Sequence, residues 1–247
     1  MKINYVLCLY IATILLSCQN KSSQDLLAPQ TVNPDGSVTK RTFKADGKLF
    51  AEITKKNGKK NGITKNFYGN GKVSVETTYK DDKKEGESVW YYTDGKVCQR
   101  TIYRNDLKDG IDRHYYKNGK LSAEIPYKNG RVDPGLKEYS TEGKLITNNS
   151  PTIVVCPINQ IASQNKYILQ LSLSNKSENV SFSRVFPENE NKSDLEISTF
   201  KGVGNYIIHV NPGRSVKEEL IFEASFETVY GNPFIARTIY KLAIKNQ

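Results

Sequence analysis

Histidine is nearly missing from this chain: 247 residues hold two, His114 and His209, and they lie in different segments. Methionine and tryptophan occur once each. There is no Gly-x-Ser-x-Gly, no phosphate-binding glycine loop and no histidine cluster. Catalysis needs acids, bases or nucleophiles held in position, and the carboxylates here mark turns and solvated faces, so an enzyme is not expected. The four cysteines, Cys8, Cys18, Cys98 and Cys156, include no pair with metal-ligand spacing. Neither a metal nor a cofactor is therefore expected. Long apolar runs are also missing: Ile3 to Leu16 is mostly apolar but too short to span a bilayer.

What is present is charge, tyrosine and glycine. The formal net charge is +10, and about +9 without Lys2. Such a balance favours acidic partners or a soluble surface rich in lysine. The lysines lie mostly in turns and read as spread along the chain rather than gathered in one patch, and no nucleic-acid motif accompanies them. Fifteen tyrosines, with abundant Thr and Val, suit half-buried strands better than helix interiors.

Residues 1–17 read as a secretory signal peptide, with Lys2 as its positive start. Leu15-Leu16-Ser17-Cys18 resembles a bacterial lipobox. The resemblance implies cleavage before Cys18, acylation of its thiol and new amine, and a stable lipid anchor, palmitate among its acyl chains. After Cys18 comes a polar stretch, Gln19 to Asp25, and residues 18–32 read as a tether. Gln19 stands where many diderm inner-membrane lipoproteins carry Asp, which by analogy favours the outer membrane of a bacterial envelope. Cys98 and Cys156 can pair as a disulfide in such an oxidising compartment, or stand as free thiols.

The strongest signal is an internal repeat over residues 33–147. Gly47, Gly71, Gly95, Gly119 and Gly143 are spaced by 24 residues, a coincidence of order 10⁻⁵ at ordinary glycine frequency. Each is followed by Lys and an aliphatic residue, and preceded by Asp, Asn or Glu. Four positions before each lies an aromatic: Phe43, Phe67, Tyr91, Tyr115 and Tyr139. Asn57-Gly58, Asp81-Asp82, Asn105-Asp106 and Asn129-Gly130 supply residues that tolerate positive φ, which tight hairpins need. A second glycine follows at Gly62, Gly86 and Gly110, and slips to Gly135 in the fourth copy. Each unit thus predicts two short strands and two turns, and stacked units an elongated antiparallel sheet stabilised between neighbours.

These residues resemble the bacterial variant of the MORN repeat, often catalogued as YwqK-family antitoxins. The resemblance implies a β-repeat scaffold that mediates interactions, with an immunity or antitoxin-like role as one alternative. Its eukaryotic relatives are linked with membranes and phospholipids.

Strand parity suggests where a ligand sits. The recurring aromatic predicts the core face. The flanking columns vary between copies and in the middle copies place Tyr68, Trp90, Tyr92, His114 and Tyr116 together. Flat exposed aromatics anchor a protein partner or stack on sugar rings. Covered faces or cross-strand tyrosine pairing explain the same pattern without a ligand.

The repeat stops near Thr147, and residues 152–247 follow a different, period-2 pattern. Leu220, Phe222, Ala224 and Phe226 make one apolar face, with a return strand through Phe234, Ala236, Tyr240, Leu242 and Ile244. Tyr167, Leu169, Leu171 and Leu173 suggest another strand, as do Tyr206, Ile208 and Val210. Six or seven strands here predict a β-sandwich of immunoglobulin-like type, with His209 on its polar surface. The sequence therefore reads as an all-β, lipid-anchored envelope scaffold that binds another protein, with carbohydrate binding as an alternative.

Overall fold

The computed structural model describes residues 30–146, 150–187, 190 and 192–247. The expected signal peptide, Cys18 and most of the tether lie outside the described residues. The fold is all-β, with one short helix, α1 (Ile161–Gln164), among the described residues. The chain divides into two compact units: the described residues up to 109 with 115–119, and residues 110–114 with 120–247.

The first unit holds β1 (Gln30–Val32), β2 (Val38–Phe43), β3 (Leu49–Lys56), β4 (Lys59–Lys60), β5 (Gly62–Phe67), β6 (Val73–Lys80), β7 (Lys83–Tyr91), β8 (Val97–Arg104) and β9 (Leu107–Lys108). They form the expected antiparallel meander, with β4 and β9 as short returns on β3 and β8. Every tight hairpin turn named above has both central residues at positive φ, from Asn57 at 52° and Gly58 at 80° to Asn129 at 50° and Gly130 at 81°. That geometry matches the right-handed twist of the flanking strands.

Most of the buried positions lie on the face opposite to the one expected. Ala51, Val75, Thr77, Ser88 and Thr101 are buried, and the register puts them on the face of Asn66 and Trp90, whereas buried Val89 lies on the opposite face. None of the recurring aromatics is buried, and Phe43 is 48% exposed. They lie on the opposite face, which carries the cross-strand ion pairs Arg41–Glu52, Lys65–Glu76 and Arg100–Glu87. The aromatic is the last or near-last residue before a turn, and Tyr91 donates its hydroxyl to Glu76 at 3.0 Å. Since none of the five recurring aromatics is buried, recurrence here does not mark a core. The buried row instead uses small side chains, and its polar members pair internally: Thr77 Oγ1 and Ser88 Oγ are 2.8 Å apart.

The second unit opens with β10 (Gly110–Tyr115, less its last residue), β11 (Leu121–Lys128), β12 (Arg131–Val132) and β13 (Lys137–Glu138). Both β12 and β13 pair with β11. The remaining strands are β14 (Ile153–Gln160), β15 (Lys166–Leu173), β16 (Ser181–Val185), β17 (Leu195–Ile197), β18 (Thr199–Phe200), β19 (Val203–His209), β20 (Ser215–Glu227) and β21 (Pro233–Lys245). They make two four-stranded sheets, β14-β15-β19-β18 and β17-β16-β20-β21. One core cluster takes side chains from both sheets, including Leu169, Leu171, Phe182, Leu220, Phe222 and Leu242. This is the expected sandwich, with eight strands. Lettered in chain order, the sheets run A-B-E-D and C′-C-F-G, the immunoglobulin-like arrangement. Period-2 alternation read the inward positions of β15, β20 and β21 correctly, and His209 is exposed as expected.

The last repeat copy packs with the sandwich inside this unit. Glu138 Oε1 accepts from Thr228 Oγ1 at 2.7 Å and Asn232 Nδ2 at 2.6 Å. Arg237 reaches Asp133 at 2.8 Å and Glu223 at 2.7 Å, and Arg131 pairs with Asp194.

Candidate functional site

The repeat's turns explain most of its invariant residues. At three of the glycine turns the acid or amide before the glycine accepts the N–H of the following lysine: Asp46 from Lys48 at 3.1 Å, Asn70 from Lys72 at 3.1 Å and Asp94 from Lys96 at 3.0 Å. Gly71, at φ 82°, closes its turn by donating to the Tyr68 carbonyl at 3.0 Å. Only glycine adopts such a φ without steric cost. The lysine side chain then reaches the next copy. Lys72 Nζ donates to the Asp94 carbonyl at 2.5 Å and Lys96 Nζ to that of Lys117 at 3.0 Å.

Two candidate aromatics do the same. Tyr68 donates to the Tyr91 carbonyl and Tyr92 to the Tyr115 carbonyl, each at 2.5 Å. On the opposite edge, Asp82 Oδ1 accepts the Lys60 N–H and Asp106 Oδ1 the Lys84 N–H, each at 2.8 Å. Asp82 and Asp106 sit at φ 71° and 69°, where a non-glycine residue is strained, and this second bond offsets that strain. Both edges of the sheet are therefore stitched by side chains reaching roughly one repeat along.

Of the five candidate residues, Trp90 is the exposed one, at 47%. It lies between Val75 and Gln99 in the register, at the end of the row that is buried further along at Ser88. Tyr68 and Tyr92 are half-buried, and their hydroxyls are committed to backbone carbonyls. Burial raises the Tyr92 phenol above its ordinary value. Tyr116 is half-buried. His114 is half-buried, in the second unit, with Nε2 3.5 Å from Oδ2 of the fully buried Asp112. Two tyrosines of the expected strip thus serve the stitching, and Trp90 has no such part.

The column to which Trp90 belongs carries a further meaning. Its members are Thr42, Asn66, Trp90, His114 and Glu138. In the last copy the occupant, Glu138, grips Thr228 and Asn232 of the sandwich. The position is thus a contact position at least once in this chain.

One further feature corrects the sequence reading. Positive charge is not evenly spread: nine basic residues from Lys40 to Lys65 stand against Asp46 and Glu52 alone. Exposed Phe43 and Phe50 lie in the same stretch, with Lys44 Nζ 5.7 Å from the Phe50 ring centre. A running charge count along the sequence carries that signal. Cys98, half-buried, and Cys156, exposed, both stand as free thiols. Burial pushes the Cys98 thiol above its ordinary value, away from the reactive thiolate. Among the described residues no group of three or more His, Cys, Asp or Glu is placed to hold a metal.

Residues 60–81, 84–105 and 108–129 each match the family model of the MORN repeat variant. The windows are consecutive and share the 24-residue period, so these segments are MORN-type repeats. No curated protein matches the chain.

Proposed function

We propose that this chain is an interaction scaffold of the bacterial cell envelope, anchored by lipid on Cys18 and binding a partner protein at the face around Trp90. The observation that carries the reading is the Trp90 column. Its last member, Glu138, already makes a protein contact through two hydrogen bonds, and Trp90 offers a half-exposed indole at the equivalent place. Tryptophan is the side chain most enriched among residues that dominate binding energy. The stitched edges hold the sheet without Trp90, which leaves that residue available for recognition. The reading includes no catalytic step and no cofactor.

Affinity capture of the tagged, membrane-extracted protein tests the partner. A protein retained by the natural chain and lost with Trp90→Ala supports the scaffold; equal retention by both removes the Trp90 face from the account. A second reading follows from the same exposed indole, since flat aromatics also stack on sugar rings. Binding of peptidoglycan fragments or arrayed glycans, lost in Trp90→Ala, would favour a carbohydrate partner. Metabolic labelling with palmitate tests the anchor separately, and a Cys18→Ala chain that still labels contradicts it.

A further inference from the structure

The second unit contains a cleft of about 380 Å³ where the last repeat copy meets the β20–β21 turn. Its size lies in the range of ligand-binding clefts. Much of its wall is apolar, including Leu136, Ile146, Phe226 and Phe234. The β20–β21 turn projects two more apolar residues at its rim, Val229, 93% exposed, and Tyr230, also exposed. The polar residue of that turn, Asn232, is buried instead. The turn therefore presents apolar side chains outward and polar ones inward, opposite to an ordinary solvated hairpin.

This presentation is fixed from below. Thr228 N–H donates to the Asn232 carbonyl and Gly231 N–H to the Thr228 carbonyl, each at 2.9 Å. Thr228 and Asn232 both donate to Glu138. A surface ordered before binding loses less conformational freedom on association.

Charge selects the occupant. Glu138, Glu178 and Glu227 line the cleft, and among the described residues no lysine or arginine does, in a chain of net charge +10. Glu138 is committed to the turn, which leaves Glu178 and Glu227, both exposed, as the other carboxylates of the cleft. Apolar walls with exposed carboxylates complement a cation carried on an apolar stem, or a cation beside an apolar residue.

We infer that this cleft docks a cationic, apolar-flanked peptide segment of a partner protein, using Val229 and Tyr230 as apolar contacts and Glu178 and Glu227 as counter-charges. The inference rests on the scaffold reading only in taking the partner to be a protein. The site lies apart from Trp90 in sequence and in the set of residues it uses, so each can fail alone.

Fluorescence anisotropy of the full chain with labelled Leu-Lys-Leu-Lys peptide tests the docking. Saturable binding is expected, weaker by at least tenfold for Leu-Glu-Leu-Glu and for Ser-Lys-Ser-Lys. The double variant Glu178→Gln/Glu227→Gln should weaken the Leu-Lys peptide about tenfold or more, and Val229→Ser/Tyr230→Ser likewise. All four positions are exposed, so these variants keep the fold. The reversal Glu178→Lys/Glu227→Lys should exchange the preference toward the Leu-Glu peptide. Absence of saturable binding, or binding that none of these variants alters, overturns the inference. Capture that depends on Trp90 but not on this cleft would leave the scaffold standing and remove the cleft.

Discussion

In the sandwich, Phe182 and Phe222 are almost wholly buried among leucines contributed by two sheets. In the repeats of the first unit, the buried side chains among the described residues are Ser37, Ala51, Val75, Thr77, Ser88, Val89 and Thr101, none larger than valine. The sandwich gains its stability from apolar area, at about 25 cal/mol per Å² removed from water. Small side chains cannot supply the same. The repeats add hydrogen bonds from Tyr68, Lys72, Tyr92 and Lys96 to backbone carbonyls of the following copy. The difference teaches where sequence is free to change. A packed core constrains every inward position, whereas stitched edges constrain turn residues and leave the Trp90 column open to vary.

Five substitutions sharpen or break that contrast; the first four are read by hydrogen exchange, which separates the units because local opening reports local stability, and the last by unfolding measured as a function of pH. The largest effect is expected from Phe222→Ala, which should cost the sandwich about 3–5 kcal/mol and leave the β6 and β7 amides unchanged. Equal loss in the repeats would mean that the two regions do not differ as described.

Glycine substitution comes next. Gly71→Ala should cost about 1–2 kcal/mol, from the left-handed backbone alone, because no atom lies within 4 Å of the added methyl. Gly202→Ala should cost more, since its φ is 73° and the methyl would fall 2.4 Å from the Ser177 carbonyl oxygen. Similar losses at both positions would contradict the packing distinction.

Tyr92→Phe removes one stitch and should cost about 0.5–1.5 kcal/mol, felt as faster exchange at both strands flanking the turn. No change would show that the hydroxyl does not hold the copies.

The smallest effect is expected in alkali. Burial, with the neighbouring Tyr240, pushes the Tyr167 phenol up to about 12. A raised value in the folded state contributes stability that is full below the unfolded value near 10. That contribution is lost as pH rises through the folded value. The sandwich should therefore weaken between about pH 10 and 12, and Tyr167→Phe should remove this part of the pH dependence.

Much of this contrast is legible in the sequence. The period, both turns of each copy and the inward residues of β15, β20 and β21 follow from glycine spacing and alternation. The face assignment in the repeats does not. Phe43, Phe67 and Tyr91 recur without being buried, and recurrence alone does not reveal burial. The register also shifts beside each of them, which interrupts the two-residue alternation on which parity rests. The roles of Tyr68 and Tyr92 were hidden for another reason: their partners are carbonyls 23 residues away, and a backbone carbonyl leaves no mark in sequence. Glu138 reads as one more variable residue until the β20–β21 turn is set against it.

The most direct test of the scaffold places a photo-crosslinking benzoylphenylalanine at position 90 in the native cell. A control carries it at position 239, where Ile239 is exposed on the sandwich. The account predicts a discrete protein adduct from position 90 and none from position 239. The same adducts from both positions, or none from position 90, would contradict it.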